Sequence, residues 1–216
     1  MLPLLRVRNE EDSVSDRIAT IRWTAASILV GGTLYGLYGL LNPFFADSPV
    51  WQLVSQLLGG AFLTVGMMGL GVYLREQDLS LGGIGRAGLW ACIIGLAVWT
   101  VLGFAAESSV ALVGPTLLAG RAFHALDFLL VVFVGSAFLG TALYLRTNVV
   151  PKGAALALVI ASVLALAPAL ADYVLAYIPI GVFEAVRVVY GAGWALIGYG
   201  LQATRETMAP RQARVR

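Results

Sequence analysis

The sequence predicts an all-α polytopic membrane protein, a bundle of six transmembrane helices with both termini in the cytoplasm. Three observations carry this expectation. Hydrophobic residues make up 59% of the 216-residue chain and charged residues only 12%, against about 25% charged in soluble domains; mean hydropathy is +0.86. Six apolar stretches each approach the ~20 residues that a helix needs to cross hydrocarbon. Lysine and arginine collect on one side of those stretches, the pattern that sets orientation in a bilayer.

The elements follow in order. Residues 1–16 read as a cytoplasmic tail, partly disordered or lying on the membrane surface. The apolar run in Met1-Leu-Pro-Leu-Leu5 is far shorter than the about 7–15 residues of a signal peptide. Ser13 to Asp16 are placed to cap the helix that follows. A transmembrane domain over 17–204 holds spans at about 22–41, 51–74, 86–106, 122–145, 152–171 and 180–202. These must be helical, because irregular chain would leave backbone groups unpaired in lipid. The connections are short, with turn chemistry at Asn42-Pro43, Ser48-Pro49, Gly82-Gly83 and Gly114-Pro115. A basic tail, 205–216, closes the chain.

Arg6, Arg8, Arg17, Arg22, Arg75, Arg86, Arg146, Lys152, Arg205, Arg211, Arg214 and Arg216 fall on one side of this arrangement. They are all but Arg121 and Arg187 of the 14 basic residues. That side is assigned to the cytoplasm, and the chain to a prokaryotic cytoplasmic (inner) membrane. Trp23, Trp51, Tyr73, Tyr144 and Tyr199 lie near helix ends, where interfacial anchors are expected.

Lipid gives helices no hydrophobic reason to associate, so close backbone approach matters. Small residues recur at a spacing of four: Gly32 and Gly36, Ser136 and Gly140, Ala157 through Ala169, Gly191 and Ala195. Packing within the chain is the expected use of these stripes. A homodimer, or a partner membrane protein, is the alternative. Pro168 leaves the carbonyl of Leu164 without its helical donor and predicts a kink in the fifth span.

Charged groups within a membrane are costly and usually face a bundle interior. Arg121, His124 and Asp127 share one stripe of the fourth span, and Glu184 and Arg187 share one stripe of the sixth. The second stripe continues through Gly191, Trp194 and Gly198. Asp127 and Arg187 both lie roughly 9–11 Å in from the outer surface by helical rise. If the fourth and sixth helices are neighbours, Asp127 pairs with Arg187 and His124 reaches Glu184. The five residues would then line a polar pocket in the outer half of the bundle, with Arg187 anchoring a small anionic or lipid ligand. His124 and Asp127 would be its titrating pair. In the competing reading the same charges only lock the fold of a non-catalytic accessory or assembly subunit. Replacing Asp127 and Arg187 together by apolar residues would then be tolerated better than replacing either alone.

Other chemistry has little support. One histidine and one cysteine, Cys92, exclude metal sites built from several such ligands and the paired axial histidines of a membrane cytochrome. Ser136 lacks the second glycine of a nucleophile elbow. No phosphate loop or dinucleotide fingerprint is present. No catalytic residue, metal or cofactor is assigned, and the basic termini are too sparse for nucleic acid. Two helices end alike, Gly71-Val-Tyr-Leu-Arg75 and Ala142-Leu-Tyr-Leu-Arg146. This is either duplication of a helical hairpin or the ordinary basic end of a helix leaving at the cytoplasmic face.

From Gly140-Thr-Ala-Leu-Tyr-Leu-Arg146 through Pro151-Lys-Gly153 to Trp194-Ala-Leu-Ile-Gly198-Tyr-Gly200, the chain resembles small uncharacterised bacterial and archaeal integral membrane proteins of six helices. The resemblance covers about a third of the sequence. It implies the topology and no activity.

Overall fold

The structure is a computed structural model that describes residues 2–45, 48–113, 122–175 and 180–213. The side chains described lie mainly within 19–51, 57–101, 130–168 and 181–203. Six α-helices make up the described chain: α1 Leu2–Phe45, α2 Pro49–Glu76, α3 Gly82–Val113, α4 Ala122–Arg146, α5 Lys152–Leu175 and α6 Ile180–Ala213. Among described residues three stretches are long and apolar enough to cross a membrane: Ala19–Phe45, Leu57–Glu76 and Gly82–Val101. Leu130–Arg146 and Lys152–Pro168 are shorter apolar helices. Large apolar side chains such as Trp90, Val101, Val163 and Leu164 lie exposed on the outside. An apolar surface of this kind suits lipid and is rare on a soluble monomer.

The helix ends differ from the expected ones in instructive ways. α1 is helical back to Leu2, so Ser13 to Asp16 lie inside it and do not cap it. Asn42-Pro43 is not a turn either, because α1 continues to Phe45 with Pro43 inside. Pro43 has no N–H to give the Gly39 carbonyl, so the last turn of α1 carries one helical hydrogen bond fewer. At α2 the turn signal holds: Ser48 is the N-cap, its Oγ accepting from the Trp51 N–H at 3.3 Å.

The α2–α3 connection is a Schellman closure. Asp78 N–H donates to the Arg75 carbonyl and Leu79 N–H to the Leu74 carbonyl. Asp78 takes the left-handed conformation that this motif usually gives to glycine, with φ 51°. Gly82, φ +69°, then opens α3, so the turn ends at the first glycine of Gly82-Gly83. At the other basic hairpin, Lys152 Nζ donates to the carbonyls of Thr147 and Tyr144. It thereby caps the negative end of α4.

Each helix packs against its neighbour in sequence, and α6 closes on α1, so the six form a ring. Glycines set the closest seams. Gly66 faces Ile28 and Gly69 faces Thr24, which makes α1 and α2 antiparallel. A Cβ on Gly32 would lie 2.6 Å from the Ala195 nitrogen and 2.8 Å from the Gly191 carbonyl. The Gly32/Gly36 and Gly191/Ala195 stripes are therefore used against each other within the chain. On α5 the alanine stripe serves α6, with Ala161 Cβ against Gly193.

Inside the ring lies an aromatic layer. Tyr35 meets Trp99 edge-on at 6.0 Å between centroids and Tyr190 at 5.6 Å. Tyr190 in turn meets Phe133 at 4.9 Å and Trp194 at 6.4 Å. Of the expected anchors, Trp23 and Tyr199 are exposed, whereas Tyr73 is buried in the core. Its place near a helix end did not decide which way its ring faces.

Candidate functional site

Helix direction puts the N-termini of α1, α3 and α5 and the C-termini of α2, α4 and α6 at one end. Arg22, Arg75, Arg86, Arg146 and Lys152 all lie there. Glu184 and Arg187 lie toward the opposite end, about 6 and 10 Å along α6 from Ile180.

Both face α1. The face of α6 that carries Glu184, Arg187, Gly191 and Gly198 is the one against which α1 packs: Gly39 meets the Glu184 carbonyl and Arg187 Cβ, and Gly198 meets Ala25 and Leu29. The shared stripe of the sixth helix is thus present, but its partner is α1. Helix α4 packs between α3 and α5, and α6 between α5 and α1. The fourth and sixth helices therefore do not lie side by side. They meet across the interior, where Tyr190 Oη and Ser136 Oγ are 2.6 Å apart.

Of the five residues proposed from sequence, Arg121 and the side chains of His124 and Asp127 lie outside the described residues. Glu184 and Arg187 are joined by the one ion pair among described residues, Nη1 to Oε2 at 3.7 Å. The Glu184 side chain is 8% exposed and that of Arg187 is 22% exposed.

Three residues of α1 complete the cluster. Asn42 Nδ2 donates to Glu184 Oε1 at 2.6 Å. The Arg187 guanidinium lies 4.6 Å over the ring of Tyr38, a cation–π contact. Arg187 also lies within hydrogen-bonding reach of Tyr35. The sequence places Asn42 in a turn and singles out neither Tyr35 nor Tyr38. Two signals could have raised them: an amide at the very end of a span, and tyrosines at positions 35 and 38 on one helical face with Asn42.

The hydrogen-bonding balance of the cluster is uneven. Glu184 Oε2, which faces Arg187 Nη1, and Asn42 Oδ1 are both buried, and neither accepts a hydrogen bond from a described residue. A buried unpaired acceptor costs about 1–3 kcal/mol, more when charged. The cation beside them is shared among Glu184, Tyr38 and Tyr35. The site therefore has buried acceptors to spare.

Below the cluster, toward the basic end, Tyr35 and Tyr190 fill the interior. Ser136 Oγ also donates to the Val132 carbonyl at 2.7 Å and lies 3.3 Å from Cys92 Sγ. Cys92 is fully buried, in keeping with a small packed side chain.

No known protein family, characterised protein or solved structure matches the chain.

Proposed function

We propose that the chain is a six-spanning protein of a prokaryotic cytoplasmic membrane with both termini inside. In this reading it binds, and in transport would carry, a small solute or lipid headgroup at the outer end of the α1–α6 seam. The observation that carries this reading is a pair of buried acceptors with no hydrogen bond from a described residue: Asn42 Oδ1, and Glu184 Oε2, which has only the 3.7 Å ion pair to a partly exposed Arg187. An intramembrane carboxylate is expensive, and a structural lock would gain by satisfying it. The missing complement is a donor: an amine, a hydroxyl or a proton. The ligand is thus expected to bring hydrogen-bond donors to Glu184 and Asn42, with Arg187 turned toward any acid group on the same molecule. The gathering of basic residues at the other end supports the orientation.

The second reading, an accessory subunit in which these residues only fasten α6 to α1, is favoured by the Asn42–Glu184 bond and the Arg187–Tyr38 stack. Native mass spectrometry of the detergent-purified protein beside Glu184→Gln and Arg187→Gln separates the two. A discrete added mass, lost in both variants while the fold persists, supports binding. Identical bare spectra, with the variants only less stable, leave the lock. Orientation is tested separately, by labelling single cysteines placed at positions 9 and 212 with an impermeant thiol reagent in intact cells; labelling at either position would refute it.

A further inference from the structure

At the opposite end of the bundle from Glu184, α2 and α3 enclose a groove of about 600 Å³, within the size range of small-ligand sites. Its wall is apolar and turned outward: Met68, Val72 and Trp90 line it, and each is half exposed or more. Its head is polar. Arg75, from the last turn of α2, and Arg86, from the first turns of α3, both line it, with Asp78 between.

Neither guanidinium is ion-paired or hydrogen-bonded to a described residue. Two cations against one carboxylate leave the head with a surplus positive charge. The exposed first turn of α3 adds amide N–H groups of the same sign. Of its start, Gly82 N–H is taken by Ser80 Oγ at 3.2 Å. The Arg146 guanidinium lies against Gly82 Cα, where a Cβ would be 2.7 Å from Nη1. Arg146 itself does not line the groove.

We infer that this groove holds an anionic glycerophospholipid, its phosphate diester between Arg75 and Arg86 and one acyl chain along Met68, Val72 and Trp90. A basic head at a helix end above an outward apolar wall has the layout of a lipid lying beside the protein. Indole at that level is the side chain that best spans apolar body and polar rim. Asp78 makes the site selective against added charge, so a single diester fits better than a phosphate monoester. The inference involves none of the residues of the Asn42–Glu184–Arg187 cluster and stands or falls apart from it.

The test is native mass spectrometry of the delipidated full-length protein titrated with phosphatidylglycerol, phosphatidylcholine or inorganic phosphate. Each arginine near a charged lipid surface contributes about a fivefold factor in affinity. The wild type should therefore prefer phosphatidylglycerol, and Arg75→Gln with Arg86→Gln should weaken it by roughly thirtyfold while leaving phosphatidylcholine unchanged. Arg22→Gln with Lys152→Gln removes two cations from the same end but outside the groove. If that variant loses as much, the attraction is diffuse and the groove is not a site. Equal binding of the two lipids also overturns the proposal, as does binding of inorganic phosphate that competes fully with the lipid. Asp78→Asn, which keeps the turn, should tighten phosphatidylglycerol several-fold, and weaker binding in that variant would count against the assignment.

Discussion

The polar cluster depends on a glycine that carries no chemistry, and Gly39→Ala should show it. A Cβ at this position would lie 2.6 Å from the Glu184 carbonyl oxygen, 2.7 Å from Arg187 Cβ and 3.0 Å from the Val188 nitrogen. Carbon–oxygen contacts between helices settle at about 3.3–3.6 Å, so α1 and α6 must part locally by roughly 0.7 Å. Two of the obstructing atoms are backbone and the third is a Cβ, so no side-chain rotation relieves the clash. The same displacement stretches the Asn42–Glu184 bond from 2.6 Å to about 3.3 Å, past the usual range. Overpacking costs about 1–3 kcal/mol and the weakened hydrogen bond about 1 kcal/mol. A chain of this size shifts its melting temperature by about 2–4 °C per kcal/mol, so the loss should be roughly 5–15 °C. The assay is thermal unfolding in detergent, followed by tryptophan fluorescence. Gly83→Ala is the control, because a Cβ there meets nothing within 4 Å. If the two variants melt together, the seam is looser than the structure has it, and the argument that Gly39 places Glu184 and Arg187 fails.

Further outcomes follow from other residues. Ser136→Ala and Tyr190→Phe should each cost about 1 kcal/mol by removing a partner of the 2.6 Å interior bond. The double variant should cost clearly less than the sum, and additive melting shifts would refute the pairing. Arg187→Met should destabilise by roughly 1–3 kcal/mol, below the range for a fully buried pair because Arg187 is partly exposed. Adding Glu184→Gln should recover much of that loss, and no recovery would show that the carboxylate is not what Arg187 supports. Asp78→Gly should raise the melting temperature by about 1–3 °C, since glycine takes φ 51° without strain. Cys92 should resist maleimide in the folded protein and react on denaturation; rapid native labelling would contradict its burial.

Much of the architecture was legible because bilayer physics writes it locally. Six apolar stretches became six helices, and the starts at Ala122, Lys152 and Ile180 agree with the sequence to within a residue. The glycine and alanine stripes were legible as packing faces for the same reason. Their pairing was not. Gly32 and Gly36 on the first helix meet Gly191 on the last, and nothing in the spacing of either stripe names the other. The pairing of Asp127 with Arg187 was conditional on the fourth and sixth helices being neighbours, and equal depth does not choose neighbours: a ring places several helices at any one depth. Asn42 escaped notice for a related reason. Asn-Pro reads as a chain break, and only the closure of α6 on α1 makes that amide the donor to a carboxylate 142 residues away.

On the proposed reading, the interior is better suited to holding a solute than to conducting one. A solute held at Glu184 and Asn42 would face the aromatic layer on its inner side. There Tyr35 contacts both Trp99 and Tyr190, and Tyr190 contacts Phe133 and Trp194. These rings come from α1, α3, α4 and α6, so a path through the middle requires more than one side chain to turn. The α1–α6 seam is a poor place for the needed movement, because backbone meets backbone at Gly32, Gly36 and Gly191 and packed contacts of this kind separate as a unit or not at all. Glycine-on-glycine contact is absent from the α2–α3, α4–α5 and α5–α6 seams, and α5 is the helix that lacks it on both sides. A transporter built on this ring would therefore swing α5 while α1 and α6 hold the ligand between them. A disulfide tying α5 to α6 near Ala161 and Gly193 should abolish transport and leave ligand binding intact. If transport persisted at the wild-type rate with that crosslink in place, the fixed α1–α6 pair would no longer explain how the site is held.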